Sequence, residues 1–128
     1  MKIEGSKAIV VGGASGMARA TAELLVKAGG KVAILDRPNS KGADVASALG
    51  GGTKFYPCDV TDFDGTEKAI KSAASDLGGV HFGVNTAGGG IAKRTMAKDG
   101  PHPLDQFRAV FDLNLIASFN IERLQAEA

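Results

Sequence analysis

The sequence predicts an α/β fold, a parallel sheet with flanking helices, and three observations carry that expectation. The apolar runs Ile9-Val10-Val11 and Val32-Ala33-Ile34-Leu35 are continuous rather than alternating, as strands buried on both faces require. Stretches of helical length and period separate such runs, and glycines mark most of the joints. Strands and helices alternating in this way build βαβ units with right-handed crossovers. The chain has 128 residues, 44% hydrophobic and 23% charged, which suits one domain, 1–128, with a core of its own.

The first strand is placed at Lys7 to Val11 and the first helix at Gly16 to Ala28, with Ala20, Leu24, Leu25 and Ala28 on one stripe and Gly29-Gly30 as the stop. Lys31 to Leu35 is the second strand. Ser40 is expected to cap a second helix that ends at Leu49, before Gly50-Gly51-Gly52. A short third strand, Thr53 to Tyr56, precedes a third helix capped by Thr61 with Asp64 as its partner; Ile70, Ala73, Ala74 and Leu77 recur along it as far as Gly78-Gly79. Val80 to Val84 is the fourth strand. A long glycine-rich and basic loop, Asn85 to Pro103, leads into a last helix from about Leu104 to the end. No internal repeat or linker interrupts this order.

Chemistry concentrates at the first strand-to-helix joint. Gly12, Gly13 and Gly16 remove side chains where a backbone could approach a diphosphate, and a helix opening at Gly16 would turn its free N–H groups and positive dipole end toward it. The pattern is Gly12-x-x-x-Gly16-x-Ala18 rather than Gly-x-Gly-x-x-Gly, and a ligand-free glycine turn can have the same composition. Asp36 adds weight. It follows the second strand, twenty residues after Gly16, where a carboxylate accepts hydrogen bonds from the ribose hydroxyls of NAD; the plain alternative is a turn residue or helix cap.

In four places at once, the sequence resembles the short-chain dehydrogenases/reductases. Gly12-x-x-x-Gly16-x-Ala18 is similar to that family's Thr-Gly-x-x-x-Gly-x-Gly turn, Asp36 to its NAD-selecting acid, Cys58-Asp59-Val60 to the Asp-Val pair beside adenine, and Asn85-Thr86-Ala87-Gly88 to its Asn-Asn-Ala-Gly. Within the family, Asp36-Arg37-Pro38-Asn39-Ser40 and the long loop after Gly88 resemble the type II 3-hydroxyacyl-CoA dehydrogenases. The resemblance implies a Rossmann-type sheet of strand order 3-2-1-4, ending after the fourth strand and fourth helix. It implies NAD as cofactor, held by Gly12, Ser15, Gly16, Met17, Asp36, Arg37, Cys58, Asp59, Val60, Asn85, Ala87 and Gly88. The implied reaction moves a hydride between NAD and a secondary alcohol or ketone, including an acyl-CoA substrate. Ser15, where NADP-preferring relatives often carry a basic residue, agrees with NAD. Val11, Ala18 and Thr86 depart from the family's Thr, Gly and Asn.

Asn114, in Phe111-Asp112-Leu113-Asn114-Leu115, resembles the catalytic Asn that bends the family's fourth helix and whose main-chain carbonyl holds a water of the proton relay; read by itself it is a solvent-facing or locally bonded residue. The family's catalytic Ser and Tyr-x-x-x-Lys have no counterpart here: the single tyrosine, Tyr56, has Val60 four residues on, and Ser118 belongs to the last helix. The chain therefore looks like the amino-terminal, cofactor-binding half of a dehydrogenase. A non-catalytic NAD-binding or interaction module is the other reading.

Other partners have little support. A formal charge of +1 without a basic block argues against nucleic acid, and no apolar stretch has membrane length. One cysteine, Cys58, and the separated His81 and His102 argue against a metal site and fit a reducing, cytoplasmic setting. Lys93, Arg94 and Lys98 read as solvated loop residues, or as contacts for a CoA phosphate if the narrower resemblance holds. Phe107, Val110, Phe111, Leu113, Leu115, Ile116, Phe119, Ile121 and Leu124 occupy more of the last helix than the stripe one domain can cover, which predicts a homo-oligomer.

Overall fold

A computed structural model of the chain describes residues 2–128. The elements follow in order: β1 Lys7–Val11, α1 Gly16–Lys27, β2 Lys31–Asp36, α2 Gly42–Leu49, β3 Lys54–Pro57, α3 Phe63–Leu77, β4 Phe82–Asn85, a ladder of β5 Met96–Ala97 with β6 Gly100–Pro101, then α4 Leu104–Phe111, a π-helical turn Asp112–Ile116 and α5 Ala117–Glu127. The main sheet is parallel with order β3-β2-β1-β4. This is the Rossmann-like arrangement expected.

Burial follows from the pleat. Ile9, Val11, Ala33 and Leu35 point to one face and pack with Ile70, Ala73, Ala117, Ile121 and Leu124 of α3 and α5. Ala8, Val10, Val32 and Ile34 point to the other and pack with Ala18, Ala22, Leu25, Val45 and Ala46 of α1 and α2. Both central strands are covered on both sides, which is why their sequences run apolar without alternation. The chain steps outward from β1 through β2 to β3, then α3 carries it back to β4 on the far side of β1. The carboxyl ends of β1 and β4 consequently flank a topological switch point, the place where open α/β sheets bind ligands.

Several local expectations need correction. The buried stripe of α1 is Ala18, Ala22 and Leu25, whereas Ala20, Leu24 and Ala28 are exposed. Ala18 sets that phase because its methyl lies fully buried on the strands immediately after the tight turn. Asp62, not Thr61, caps α3 by accepting from Gly65 N (3.0 Å), because Thr61 is drawn back by N–H and hydroxyl bonds to Asp59 Oδ1. Ser40 accepts from Gly42 N (3.2 Å), but the N-cap is Lys41. Pairing of the fourth strand starts at Phe82, since Gly79 at φ +116° turns the chain and Val80 packs inward. The single last helix is two helices joined by a π turn, and the loop before it holds the short β5–β6 ladder.

Candidate functional site

A cavity of about 550 Å³ opens at the switch point, lined by Gly12, Ser15, Gly16, Met17, Asp36, Arg37, Cys58, Asp59, Val60, Thr86, Ala87, Gly88 and Leu113. Every residue that the resemblance assigned to the cofactor is in that lining except Asn85. Thr86 and Leu113 are additional. Thr86 was visible beforehand only as a departure from a motif, and Leu113 had no signal because a widened helical turn brings it there.

The glycine turn divides its labour in a way that spacing does not show. Gly12 sits at φ +83°, and a Cβ there would lie 2.9 Å from Thr86 Oγ1 and 3.3 Å from Ala87 N, so it brings the first and last walls of the cavity together. Gly13 faces inward: a Cβ would lie 2.8 Å from Ile34 Cγ2 and 3.1 Å from Val10 O. It belongs to the core rather than to a phosphate site, contrary to the expectation that all three glycines open the turn. Gly16, at φ +56°, has open space where its Cβ would be. Ser15 is the N-cap of α1 with extended backbone and no side-chain cap bond. Among the described residues, the N–H groups of Gly16, Met17 and Ala18 therefore have no protein acceptor, and they end a helix whose dipole favours an anion.

Opposite them stands Asp36, at the end of β2. Its Oδ2 accepts from Ala14 N (2.9 Å) and its Oδ1 from Arg37 N (2.8 Å). Those bonds hold the carboxylate on the cavity rim and leave lone pairs on both oxygens for further donors. Asp59 Oδ1 takes the N–H (2.9 Å) and hydroxyl (2.7 Å) of Thr61; those bonds, followed by the nearby Arg37 charge, hold its carboxyl below the usual range and thus ionised. Cys58 lies between them, buried, and its thiol is pushed up to about 11, first by burial and then by the charges of Asp36 and Asp59. It is a small apolar wall residue at neutral pH, with no thiolate to act as nucleophile.

The floor beyond Gly12 is held from behind. Asn85 directs its side chain away from the cavity: Oδ1 accepts from Ala87 N (2.9 Å) and Nδ2 donates to Ser118 Oγ (3.3 Å). Asn114 Oδ1 accepts from Gly89 N (3.1 Å), and its Nδ2 donates to Gly89 O (2.7 Å) and Val110 O (2.8 Å). The helix departs from α geometry here, with Ala117 N bonded five residues back to Asp112 O. Asn114 is thus both locally bonded and tied to the loop. Tyr56 pairs with Leu35, one position before Asp36, but its side chain leads away from the cavity, the hydroxyl donating to Asp76 Oδ2 (2.7 Å) beside Lys31 and Lys54 at the amino ends of β2 and β3. Neither a metal-holding group of three or more His, Cys, Asp or Glu residues nor a helix long and apolar enough to cross a membrane occurs among the described residues.

A family model described as short chain dehydrogenase matches residues 6–128. The 3-hydroxyacyl-CoA dehydrogenase type-2 of Homo sapiens is 40% identical over 126 residues, 97% of this chain and 48% of that protein, and its Drosophila melanogaster counterpart is 40% identical over 97% of this chain and 49% of that protein. Among solved structures, an NADPH-dependent 3-quinuclidinone reductase from Rhodotorula rubra has a TM-score of 0.83 at 31% identity, covering 98% of this chain and 48% of its own. A short-chain type dehydrogenase/reductase from Mycobacterium ulcerans has a TM-score of 0.87 at 26% identity, covering 99% and 47%. The chain spans about half the length of the relatives it matches. Matched by the family model over nearly all its residues and built on the same sheet, the chain belongs to the short-chain dehydrogenase/reductase family.

Proposed function

We propose that this chain forms the NAD-binding part of a dehydrogenase that moves a hydride between the nicotinamide and a secondary alcohol or ketone, with a 3-hydroxyacyl thioester as the substrate class. The observation that carries the reading is one cavity with an uncapped helix N-terminus on one wall and Asp36, lone pairs free, on another. The free N–H groups of α1 suit a diphosphate, and Asp36 suits vicinal hydroxyls. Cys58, Val60 and Met17 give an apolar wall with ionised Asp59 beside it, which suits a purine with an exocyclic amine. Bound there, NAD supplies the hydride acceptor. Asn114 keeps the Gly88–Gly89 turn in place, and its main-chain carbonyl lies in the π turn, where the family resemblance assigns it a relay water.

The preference for NAD over NADP is supported by the charge on Asp36, which repels a 2′-phosphate, and by Ser15, which adds no cation; Arg37, next to Asp36 in the same lining, is the one cation that works against it. The thioester class rests on the 40%-identical relatives, and the exposed apolar side chains of α4 and α5 support assembly into an oligomer. Thermal melts test the cofactor. NAD at 100 times its dissociation constant is expected to add about 2.7 kcal/mol, and greater stabilisation by NADP refutes the selectivity.

A second reading, binding without catalysis, is favoured by Tyr56 alone: the one tyrosine hydroxyl is bonded to Asp76, away from the cavity. Without a positioned acid/base, about 10²–10⁴ in rate is forgone, so the purified chain is expected to show no alcohol oxidation. NADH formation by the pure chain, abolished in Asn114→Ala, would move the chemistry onto these residues.

A further inference from the structure

The wall Thr86-Ala87-Gly88 is shaped by a residue that touches neither the cavity nor, in the reading above, the cofactor. We propose that Ser118 is a positioning residue: by accepting from Asn85 Nδ2 it anchors the Asn85 amide, whose orientation the Ala87 N–H sets, and through it the path of Thr86-Ala87-Gly88 along the cavity.

An asparagine amide has a donor end and an acceptor end of nearly the same shape, and its neighbours decide which end points where. Asn85 closes a local turn only when Oδ1 faces Ala87 N, because that N–H has no other protein acceptor among the described residues. The opposite end of the amide then meets Ser118 Oγ, which accepts from it and so holds the amide in place without choosing its orientation. Reversed, the amide would aim a donor at a donor, and the Ala87 N–H would be left without its bond. Ser118 reaches β4 because α5 packs on it, with Ala117 and Ile121 buried on the sheet around it. The preceding Thr86 is held independently, by its N–H to Val11 O (3.1 Å), and Gly89 by Asn114. Ala87 between them has only Asn85, so the Ser118–Asn85 pair controls the middle of the wall.

The effect on ligand binding rests on the proposed NAD site; the effect on the wall does not, and the test separates them. Amide hydrogen exchange at Ala87 is read in the wild type, Ser118→Ala, Asn85→Ala and the double variant. Ser118→Ala is expected to speed Ala87 exchange about fivefold, the order of one neutral hydrogen bond, with Thr86 and Gly89 unchanged. In the Asn85→Ala background the same substitution is expected to add nothing, since Ser118 acts through that amide. Ser118→Thr, which keeps the hydroxyl, is expected to restore protection. NAD affinity is expected to fall about fivefold in Ser118→Ala and to recover in Ser118→Thr. Unchanged Ala87 exchange in Ser118→Ala, or additive effects in the double variant, would overturn the proposal whatever NAD does. Coupled exchange effects in a chain that does not bind NAD would leave Ser118 as the positioning residue and sink the cofactor reading instead.

Discussion

The two ends of the sheet handle their polar groups in opposite ways. At the carboxyl end, Asp36 is held only by backbone N–H groups, the first turn of α1 is uncapped, and the glycines keep side chains out. At the amino end, Asp76 takes both Lys54 Nζ (2.9 Å) and the Tyr56 hydroxyl (2.7 Å), and Lys7 Nζ donates to Gly78 O (2.6 Å) at the C-terminus of α3. One end leaves backbone donors and carboxylate lone pairs oriented into a cavity; the other ties its charged groups to its own side chains and backbone, although the buried hydroxyls of Ser6 and Thr53 there find no partner. What marks the site is polarity that is both unspent and aimed into one open cavity.

A large effect at every pH is expected where the carboxyl end meets the core. Gly13→Val places side-chain atoms against Ile34 and Val10 O, and overpacking of this kind typically costs about 1–3 kcal/mol. Urea unfolding should therefore show a lower midpoint with the same slope. A variant as stable as the wild type would mean that Gly13 has the freedom assigned to Gly16.

Alkaline pH sharpens the contrast next. The Cys58 thiol is raised from 9.0 to about 11 in the folded state. An acid that ionises later when folded leaves stability intact below pH 9; above that the unfolded chain loses its proton first, and stability falls as pH rises toward 11. The loss should reach on the order of 2–3 kcal/mol, and Cys58→Ala should flatten it. Tyr56 at the other end is also raised, by burial and then by its bond to Asp76, so its contribution begins to fall above pH 10 and Tyr56→Phe should remove that later part. A single slope insensitive to both substitutions would erase the distinction.

Asp36→Asn leaves an acceptor for one backbone N–H but removes the charge. NAD affinity should fall about tenfold, in line with a charge-assisted bond, and the preference over NADP should narrow. Calorimetric titration with both dinucleotides reads this directly, and an undiminished preference would take Asp36 out of the selectivity.

The smallest effect is expected at the amino end. Tyr56→Phe loses one partly exposed hydrogen bond, no more than about 1 kcal/mol, with NAD binding unchanged. Weakened binding there would show that the two ends communicate.

Much of this was legible in the residues themselves. Continuous apolar runs force burial on both faces, and the positions of Gly12, Gly16 and Asp36 are tied to a strand-to-helix turn whose geometry hardly varies, so local sequence determined the α/β class and the turn, while the strand order and most of the cavity lining were expected from the family resemblance. Tertiary structure decided what depends on direction and on distant partners. Gly13 and Gly16 are the same residue type three positions apart, yet only packing against Ile34 turned one into the core. The phase of α1 was set by Ala18 on the sheet, and a misphasing of one residue rotates a helix face by about 100°. Asn85 left the lining because Ser118, 33 positions later, offered its amide a partner, and Leu113 entered it through the π turn that Asn114 anchors to Gly89. Periodicity records which residues are apolar; it has no term for a hydrogen bond whose two ends meet only after the sheet has closed.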